Sequence, residues 1–313
     1  MARNANVAVL MPIHNAGPHL KPAIQSLLRQ TLKDFEILAF DDASTDGSLQ
    51  VLQQFAAVDS RVRVVSCERQ GLTRLLERGV TEARAPYIAR MDSDDVCVPD
   101  RLERQVAALE QDPSLVAVGG QAMKIDSHGW ALQPWRVPLD HESIDAAHIA
   151  GQAGQMIHPA TTFRASVLKK TNYRSSFVVT QDYDLFLRLA EVGRLANLPE
   201  VVLKYRWHLG NVSSKRKADQ VEAKQRALDE ARQRRGLLPL PPLSLPAAGA
   251  GEGAAGRKNL VRMAARGGNY HTAAKHLARL MIGSPTSPEA REIATGMLRR
   301  LLGRRPRRSS ALQ

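Results

Sequence analysis

Apolar residues in the first 120 positions alternate between two patterns. Val7–Ala8–Val9–Leu10–Met11 is an unbroken apolar run ended by Pro12, as expected of a strand buried on both faces. Leu20, Ile24, Leu27 and Leu28 then recur at the spacing of one helix face. The two patterns repeat. Phe35–Phe40 reads as a strand, Leu49, Leu52 and Phe55 as a helix face, Arg61–Cys67 as a strand, Leu72–Ala83 as a helix and Tyr87–Met91 as a fourth strand. Leu102, Val106 and Leu109 mark a further helix with Pro99 in its first position, and Leu115–Gly120 a fifth strand. This alternation predicts an α/β fold, a parallel sheet with helices on both sides. No GxGxxG or GxxxxGK[ST] follows any of these strands, so the common dinucleotide and P-loop readings lose support.

From Gln121 to about Ala160 the alternation fades, as expected of a more variable, substrate-facing part. Asp182–Val192 predicts a helix with Leu185, Leu189 and Val192 on one face, and Val201–Tyr205 a strand leading into Arg206–Trp207–His208. Lys215–Arg235 is charged and helix-compatible. Gly236–Gly256 is rich in Leu, Pro, Ala and Gly and reads as a linker. Beyond it Ala274, Leu277, Ala278 and Met281, then Leu298, Leu301 and Leu302, keep helical spacing. The expected organisation is a main domain over 1–215 (a half at 1–120 and a half at 121–215), a charged helix and linker at 216–256, and a basic helical region at 257–313.

Composition is that of an ordinary soluble protein, with 43% hydrophobic and 24% charged residues in 313. The net charge of +13 is unevenly placed: residues 257–313 hold thirteen Lys/Arg against Glu289 and Glu292. A basic tail of this kind meets an anionic membrane surface, nucleic acid or only water. It lacks interleaved aromatics, which speaks against nucleic acid. Cys67 and Cys97 form no metal spacing and suggest no disulfide framework, which fits a reducing compartment. No run of about 18 apolar residues exists. Val7–Ile13 ends in Pro12 and polar residues with no small-residue cleavage site after it, so it reads as a strand rather than a signal segment. The expected location is cytoplasmic, with peripheral contact at an anionic membrane face open.

Candidate chemistry gathers at two strand ends. Asp41–Asp42 closes the second strand, and Asp92–Ser93–Asp94–Asp95 follows the fourth. In an open α/β sheet that edge is where ligands bind. Carboxylates this close repel one another, so a cation is the natural way to keep them all charged, and hard oxygen ligands suit Mg²⁺ or Mn²⁺. The alternative is an acidic loop that caps the following helix, and Asp41–Asp42 has a similar capping alternative. If both are functional, one pair can accept hydrogen bonds from a base and ribose while the other holds a metal on a diphosphate. Trp130 and Trp135 either stack on an acceptor sugar or pack beneath a loop.

The ordered set of segments resembles family 2 glycosyltransferases, which have a GT-A fold. Pro12–Ile13–His14–Asn15 is similar to the family's opening motif, with His where Tyr is usual. Phe35–Glu36–Ile37 leading into Asp41–Asp42–Ala43–Ser44–Thr45–Asp46–Gly47–Ser48 is similar to its nucleotide-binding signature, and Gly71–Gly79 followed by Tyr87–Asp95 to the stretch that ends in its DXD motif. His158–Arg164 and Gln181–Arg188 resemble acceptor-side motifs, and Tyr205–His208 the closing segment. The resemblance covers residues 6 to about 215. It implies a GT-A-type, Rossmann-like, mostly parallel sheet flanked by helices, with the basic helical extension added. It implies an inverting, metal-dependent transferase of the hexosyl or N-acetylhexosaminyl type, moving sugar from a nucleotide-diphosphate donor, expected to be a UDP-sugar, to a hydroxyl on a glycan or lipid-linked acceptor in surface polysaccharide or glycolipid synthesis. Pro12, His14, Asn15, Asp41, Asp42, Arg74 and Asp92 would bind the nucleotide sugar. Asp92, Asp94 and His208 would hold Mn²⁺ or Mg²⁺, and Asp182 would be the base. Asp95 is expected to cap or orient the next helix, and Asp184, two residues past Asp182, to point off that helix face.

Two departures stand out. Glu77 occupies a position where the family often has Asn, and Gln181 one where it often has Glu, so the pKa of Asp182 is expected to be less raised. The competing readings are a nucleotidyltransferase, for which Asn15–Gly17 is a poor phosphate loop, and an inactive sugar-nucleotide or glycan-binding module.

Overall fold

The computed structural model describes residues 5–207, 217–244, 254–283 and 295. The chain divides into two compact units. One comprises Met1–Met123, Trp135–Arg206 and Val212–Pro246, the other Lys124–Pro134, Trp207–Asn211 and Ala247–Gln313.

The first unit is built on β1 (Val7–Ile13), β2 (Phe35–Asp42), β3 (Val62–Cys67) and β4 (Tyr87–Arg90), all parallel and in the order β3-β2-β1-β4. Helices α1 (Leu20–Leu28), α2 (Ser48–Val58) and α3 (Leu72–Glu82) make the crossovers. Strand residues alternate between two cores. Val7, Val9 and Met11 pack with Leu20, Ile24 and Leu27, whereas Ala8 and Leu10 pack with Leu75, Leu76 and Val80. Burial on both faces is why β1 reads as a continuous apolar run.

Past β4 the pairing changes. β5 (Val96–Cys97), α4 (Arg101–Gln111), β6 (Leu115–Ile125), β7 (Ala131–Trp135), β8 (Thr162–Arg164) and β9 (Arg194–Arg206) extend the sheet as β4-β8-β6-β9-β5, with β7 on β6. The β4–β8, β6–β8 and β5–β9 pairs are antiparallel, so the sheet is mixed and its parallel part is the first four strands. Strands β5 and β8 have two and three residues, too few for any periodic signal. β9 begins at Arg194 rather than Val201, in a stretch whose Arg194 and Glu200 are exposed. It lies so close to β6 that a Cβ at Gly120 would come within 2.8 Å of Val202 methyls.

Helix α5 (His141–Ile149), capped by Asp140 accepting from the Ser143 amide at 2.8 Å, and α6 (Ala165–Thr171) fall where the sequence shows no clear period. Helix α4 starts two residues after Pro99. Helix α7 (Gln181–Leu189) stops short of Val192, which is exposed, so Val192 does not belong to its buried face. Helix α8 (Lys217–Arg234) packs Ala227, Leu228 and Ala231 onto Phe177, Tyr183 and Leu187.

In the second unit, the turn between β6 and β7 packs with α9 (Ala254–Arg266) and α10 (Tyr270–Gly283) around Leu132, Val261, Ala264, Ala273 and Leu277. Helix α9 therefore begins inside the stretch expected to be linker. Buried Asp126 organises the turn: it accepts from the amides of His128 and Trp130 at 2.9 and 2.8 Å and lies 2.8 Å from His276 Nε2. The Trp130 ring stacks on His128 and carries Lys275 and Arg279 over it, so it serves packing rather than a sugar platform. In the first unit Trp135 packs edge-on to Tyr205. The expected helix at Leu298–Leu302 lies outside the described residues. Among the described residues no helix is long and apolar enough to cross a membrane.

Candidate active site

Strand register brings the chemistry to one edge. Ile13 is level with Asp41 on β2, and Leu10 with Arg90 on β4. The loops after β1, β2 and β4 therefore leave the sheet side by side, where the strand order reverses about β1, the usual place for a ligand crevice.

The first two loops are tied together. His14 Nδ1 lies 2.8 Å from the Asp42 carbonyl. Asn15 accepts from the Thr45 amide at 2.8 Å and its own amide donates to Ser44 Oγ. The Gly17 amide donates to Asp46 and the Ala16 amide to Ser48 Oγ. Both Asn15 and Ala43 have positive φ, 52° and 56°. For Ala43 that is a strained conformation, of the kind retained where a loop is shaped for binding.

Both aspartates at the end of β2 are buried, and they differ in what holds them. Asp42 accepts from the amides of Gln70 (2.6 Å) and Gly71 (3.0 Å) and pairs with Arg69 at 2.6 Å. Asp41 takes the Ser44 amide on Oδ2, and its Oδ1 has no hydrogen-bond partner among the described residues. A buried carboxylate oxygen without a donor is an unmet acceptor, which a base or ribose N–H or O–H can satisfy. Neither side chain caps α2, whose N-cap is Gly47. Arg74 is exposed on the first turn of α3, beside a shallow groove shared with Glu77, Arg78 and Glu82.

Asp92, Asp94 and Asp95 offer carboxylate oxygens that all lie within 4.8 Å of one another. Asp92 and Asp94 are partly exposed; Asp95 is buried. Asp95 does not cap a helix: the N-cap of α4 is Asp100. Its Oδ1 accepts the Arg206 amide at 2.7 Å, and Arg206 Nε donates to the Asp94 carbonyl at 2.7 Å, so the acidic loop is strapped to the end of β9. Burial, then the charges of Asp92 and Asp94, hold the Asp95 carboxyl well above the usual range. Its Oδ2 is buried without a hydrogen-bond partner among the described residues. Three hard oxygen donors in mutual repulsion fit Mg²⁺ or Mn²⁺. His208 lies outside the described residues.

Asp182 stands on the first turn of α7, after Thr180, whose positive φ of 59° is a further strained position. Burial raises its pKa. The Tyr183 amide, at 2.9 Å, and the Arg90 charge oppose the rise, and Asp92 adds to it. The charges of Arg90 and Asp92 both act on Asp182, which links it electrostatically to the acidic loop. The missing Glu at Gln181 therefore does not leave Asp182 unperturbed: burial and Asp92 act in its place. Asp184 does not share the site face. It is buried and bound by Arg174 and Arg188. His158 is buried with Nε2 2.7 Å from the Tyr173 hydroxyl, and burial, then Arg90, hold its pKa well below the usual value. It is a neutral structural partner of Tyr173.

The residues that sequence reasoning left without a role are Arg69, Arg90, Tyr173 and Arg206. For Arg90 a signal existed: a charged residue at the end of the apolar strand Tyr87–Ile88–Ala89 calls for a nearby anion.

A mixed α/β sheet with carboxylates gathered at one edge is an architecture found in glycosyltransferases, and comparison with known proteins agrees. Residues 8–171 match the model of "Glycosyl transferase family 2", and the chain belongs to that family as a glycosyltransferase. It is 34% identical over 212 residues to the putative glycosyltransferase EpsE of Bacillus subtilis (strain 168), covering 66% of this chain and 74% of that one. It is 32% identical over 207 residues to the O-antigen biosynthesis glycosyltransferase WbnJ of Escherichia coli, covering 64% and 80%. Among solved structures, S. aureus TarS 1-349 in complex with UDP-GlcNAc superposes with a TM-score of 0.57 at 15% identity, covering 94% of this chain and 79% of that one. The mannosyltransferase PcManGT from Pyrobaculum calidifontis, in complex with GDP-Man and Mn²⁺, gives 0.55 at 20% identity, covering 96% and 81%. These likenesses establish the GT-A fold.

Proposed function

We propose that the protein transfers a sugar from a nucleotide-diphosphate donor to an acceptor hydroxyl, with inversion at the anomeric carbon, in the synthesis of a surface polysaccharide or glycolipid. The observation that carries this reading is the convergence, at one sheet edge, of Asp41–Asp42, Asp92–Asp94 and the electrostatically linked Asp182. The open Oδ1 of Asp41 and the loop around Asn15 receive the nucleoside, with Pro12, His14, Asp42 and Asp92 shaping the floor and Arg74 at the rim. Asp92 and Asp94, with His208, would hold a divalent cation, which when bound offsets the charge of the diphosphate leaving group. Asp182 takes the proton of the acceptor hydroxyl as it attacks, and a single displacement of this kind inverts the anomeric centre. Partial burial raises its pKa and so increases its basicity.

The donor is expected to be a UDP-sugar. UDP-GlcNAc in one structural neighbour and GDP-Man with Mn²⁺ in another support a sugar nucleotide and make the base the first thing to test. Relatives whose names refer to O-antigen and amylovoran biosynthesis support a surface polysaccharide. A polysaccharide or lipid-linked acceptor also fits the basic C-terminal region. Arg262 and Arg266 are exposed one turn apart on α9, and Arg279 is exposed on α10, a pattern suited to peripheral contact with an anionic membrane at its cytoplasmic face.

The test is a thermal-shift screen of UDP- and GDP-sugars with and without Mn²⁺. The expected result is a rise in Tm for one nucleotide series that depends on the metal. No metal-dependent stabilisation by any nucleoside diphosphate would overturn this reading. A protein that binds donor yet turns over no sugar on any hydroxyl acceptor would instead be a binding module.

A further inference from the structure

We infer that Arg90 is a positioning residue of the donor site. It fixes Asp92 by one oxygen and offsets part of the charge of the acidic cluster, so that the sugar nucleotide meets an oriented carboxylate. The inference rests on the donor-site reading given above and assigns a role to a side chain outside it.

The geometry is specific. Arg90 ends β4 and is 2% exposed. Its backbone is clamped from two sides: its amide donates to the Thr161 carbonyl at 2.9 Å, and its carbonyl accepts from Arg101 Nη2 at 2.7 Å. Arg101 is itself fully buried and held by Gln105, whose amide group is fixed by three backbone carbonyls. From this anchored backbone Arg90 Nη2 reaches Asp92 Oδ1 at 2.5 Å. Nε and Nη1 are buried with no hydrogen-bond partner among the described residues.

Burying a guanidinium with two nitrogens unsatisfied is costly, and such groups persist where they do something else. Its environment shows what that is. Three carboxylates crowd within 4.8 Å on one side of it, while its charge also reaches Asp182, His158 and Tyr173 on the acceptor side. Asp92 is over a third exposed, so one oxygen is committed to Arg90 and the rest of the carboxylate faces the crevice. The contact is a single charge-assisted bond, and it is directed because the buried, clamped backbone of Arg90 aims its rigid planar guanidinium, which a flexible ammonium on a shorter stem would not reproduce.

Two opposite effects follow from removing this cation. The cluster becomes more negative, which favours a bare divalent ion. At the same time Asp92 loses its orientation, which weakens the nucleotide, while the neighbouring Asp94 and Asp95 carboxylates remain to hold the bare ion. A purely structural role moves both in the same direction. Asp92 can take water in place of the guanidinium, so an apolar replacement is tolerable for folding.

The experiment compares full-length wild type, Arg90→Met and Arg90→Lys by titration calorimetry. The probes are Mn²⁺ alone, and then UDP or GDP, whichever stabilises wild type, at saturating Mn²⁺. Arg90→Met is expected to bind bare Mn²⁺ about tenfold more tightly, or at least no more weakly, and the nucleotide about tenfold more weakly. Arg90→Lys keeps the charge, so its Mn²⁺ affinity stays near wild type while the nucleotide loss largely remains. Parallel weakening of Mn²⁺ and nucleotide in Arg90→Met, or full recovery of nucleotide affinity in Arg90→Lys, overturns the inference. If Arg90→Met does not fold, Arg90→Lys alone decides by the same criterion. Wild type that binds neither Mn²⁺ nor nucleotide overturns the donor-site reading itself, a failure distinct from these.

Discussion

The Asp95 carboxylate accepts the Arg206 backbone amide at 2.7 Å, a bond between residues 111 positions apart. It ties the acidic loop to the far end of the sheet, so Asp95 and Asp94, neighbours in sequence, do different work. Asp95→Ala leaves a buried amide without its acceptor and is expected to cost about 1–3 kcal/mol. Asp95→Asn keeps an acceptor oxygen and should recover much of that loss. Asp94→Ala should abolish Mn²⁺-dependent nucleotide binding with a smaller drop in Tm than Asp95→Ala, since Asp94 is partly exposed. Thermal melts of the three variants check this, and equal drops in Tm for Asp94→Ala and Asp95→Ala would show the division to be mistaken.

For Asp182 the expected signature is kinetic. Asp182→Asn should lower kcat by roughly 10²–10⁴ while leaving nucleotide binding nearly intact. The base acts deprotonated, and burial raises its pKa above the ordinary 3.8. The rate should therefore fall as pH drops through that raised value, and this acid limb should vanish in the residual activity of Asp182→Asn. An unchanged acid limb in the variant assigns it to another group.

Asp184 answers to stability instead. It is buried, and its oxygens are bound by Arg174 and Arg188, the latter at 2.7 Å. Removing it takes away the carboxylate that both arginines share, while Arg174 keeps Glu230 and Arg188 keeps two backbone carbonyls, so the cost is about 1–3 kcal/mol. Urea unfolding of Asp184→Ala should show that loss, whereas Asp182→Asn should shift the midpoint little. Comparable midpoints for the two variants would contradict the assignment.

His148 predicts how stability depends on pH. It is fully buried, stacked on Phe186, and both ring nitrogens lack hydrogen-bond partners among the described residues. Burial first, and the Arg235 charge second, lower its pKa from 6.5 to about 4. The unfolded chain then binds more protons than the folded one between these values. The stabilisation is complete above pH 6.5 and is lost as pH falls towards 4, by up to about 3 kcal/mol. His148→Phe should flatten part of the Tm decline between pH 7 and 4.5. The rest should persist, because His158 is lowered in the same direction. An identical decline in variant and wild type would remove His148 from the account.

Much of residues 1–120 was legible in the chain because the information there is local. A strand buried on both faces must be apolar throughout, and its crossover helix must carry an apolar stripe, so β1 to β4 and α1 to α3 announce themselves. Asp41, Asp42, Asp92 and Asp94 could be placed at one edge because parallel strands with right-handed crossovers bring their carboxyl ends together. Past residue 121 the antiparallel strands are short or partly exposed and α5 and α6 carry weak patterns, so the second half and the mixed pairing of the sheet were not readable.

By itself, then, the sequence determined the order of the first strands, the edge at which the acidic residues emerge, and the family to which the ordered motifs point. Only the tertiary structure decided which carboxylates face the crevice and which are spoken for. Helix spacing already sets Asp184 off the Asp182 face; the fold added that Arg174 and Arg188 bind it there. Asp94 and Asp95 are adjacent, yet one lies partly exposed and the other is buried under Arg206. The Asp95 partner lies 111 positions along the chain, and long-range pairing of this kind leaves no period in the sequence from which to read it.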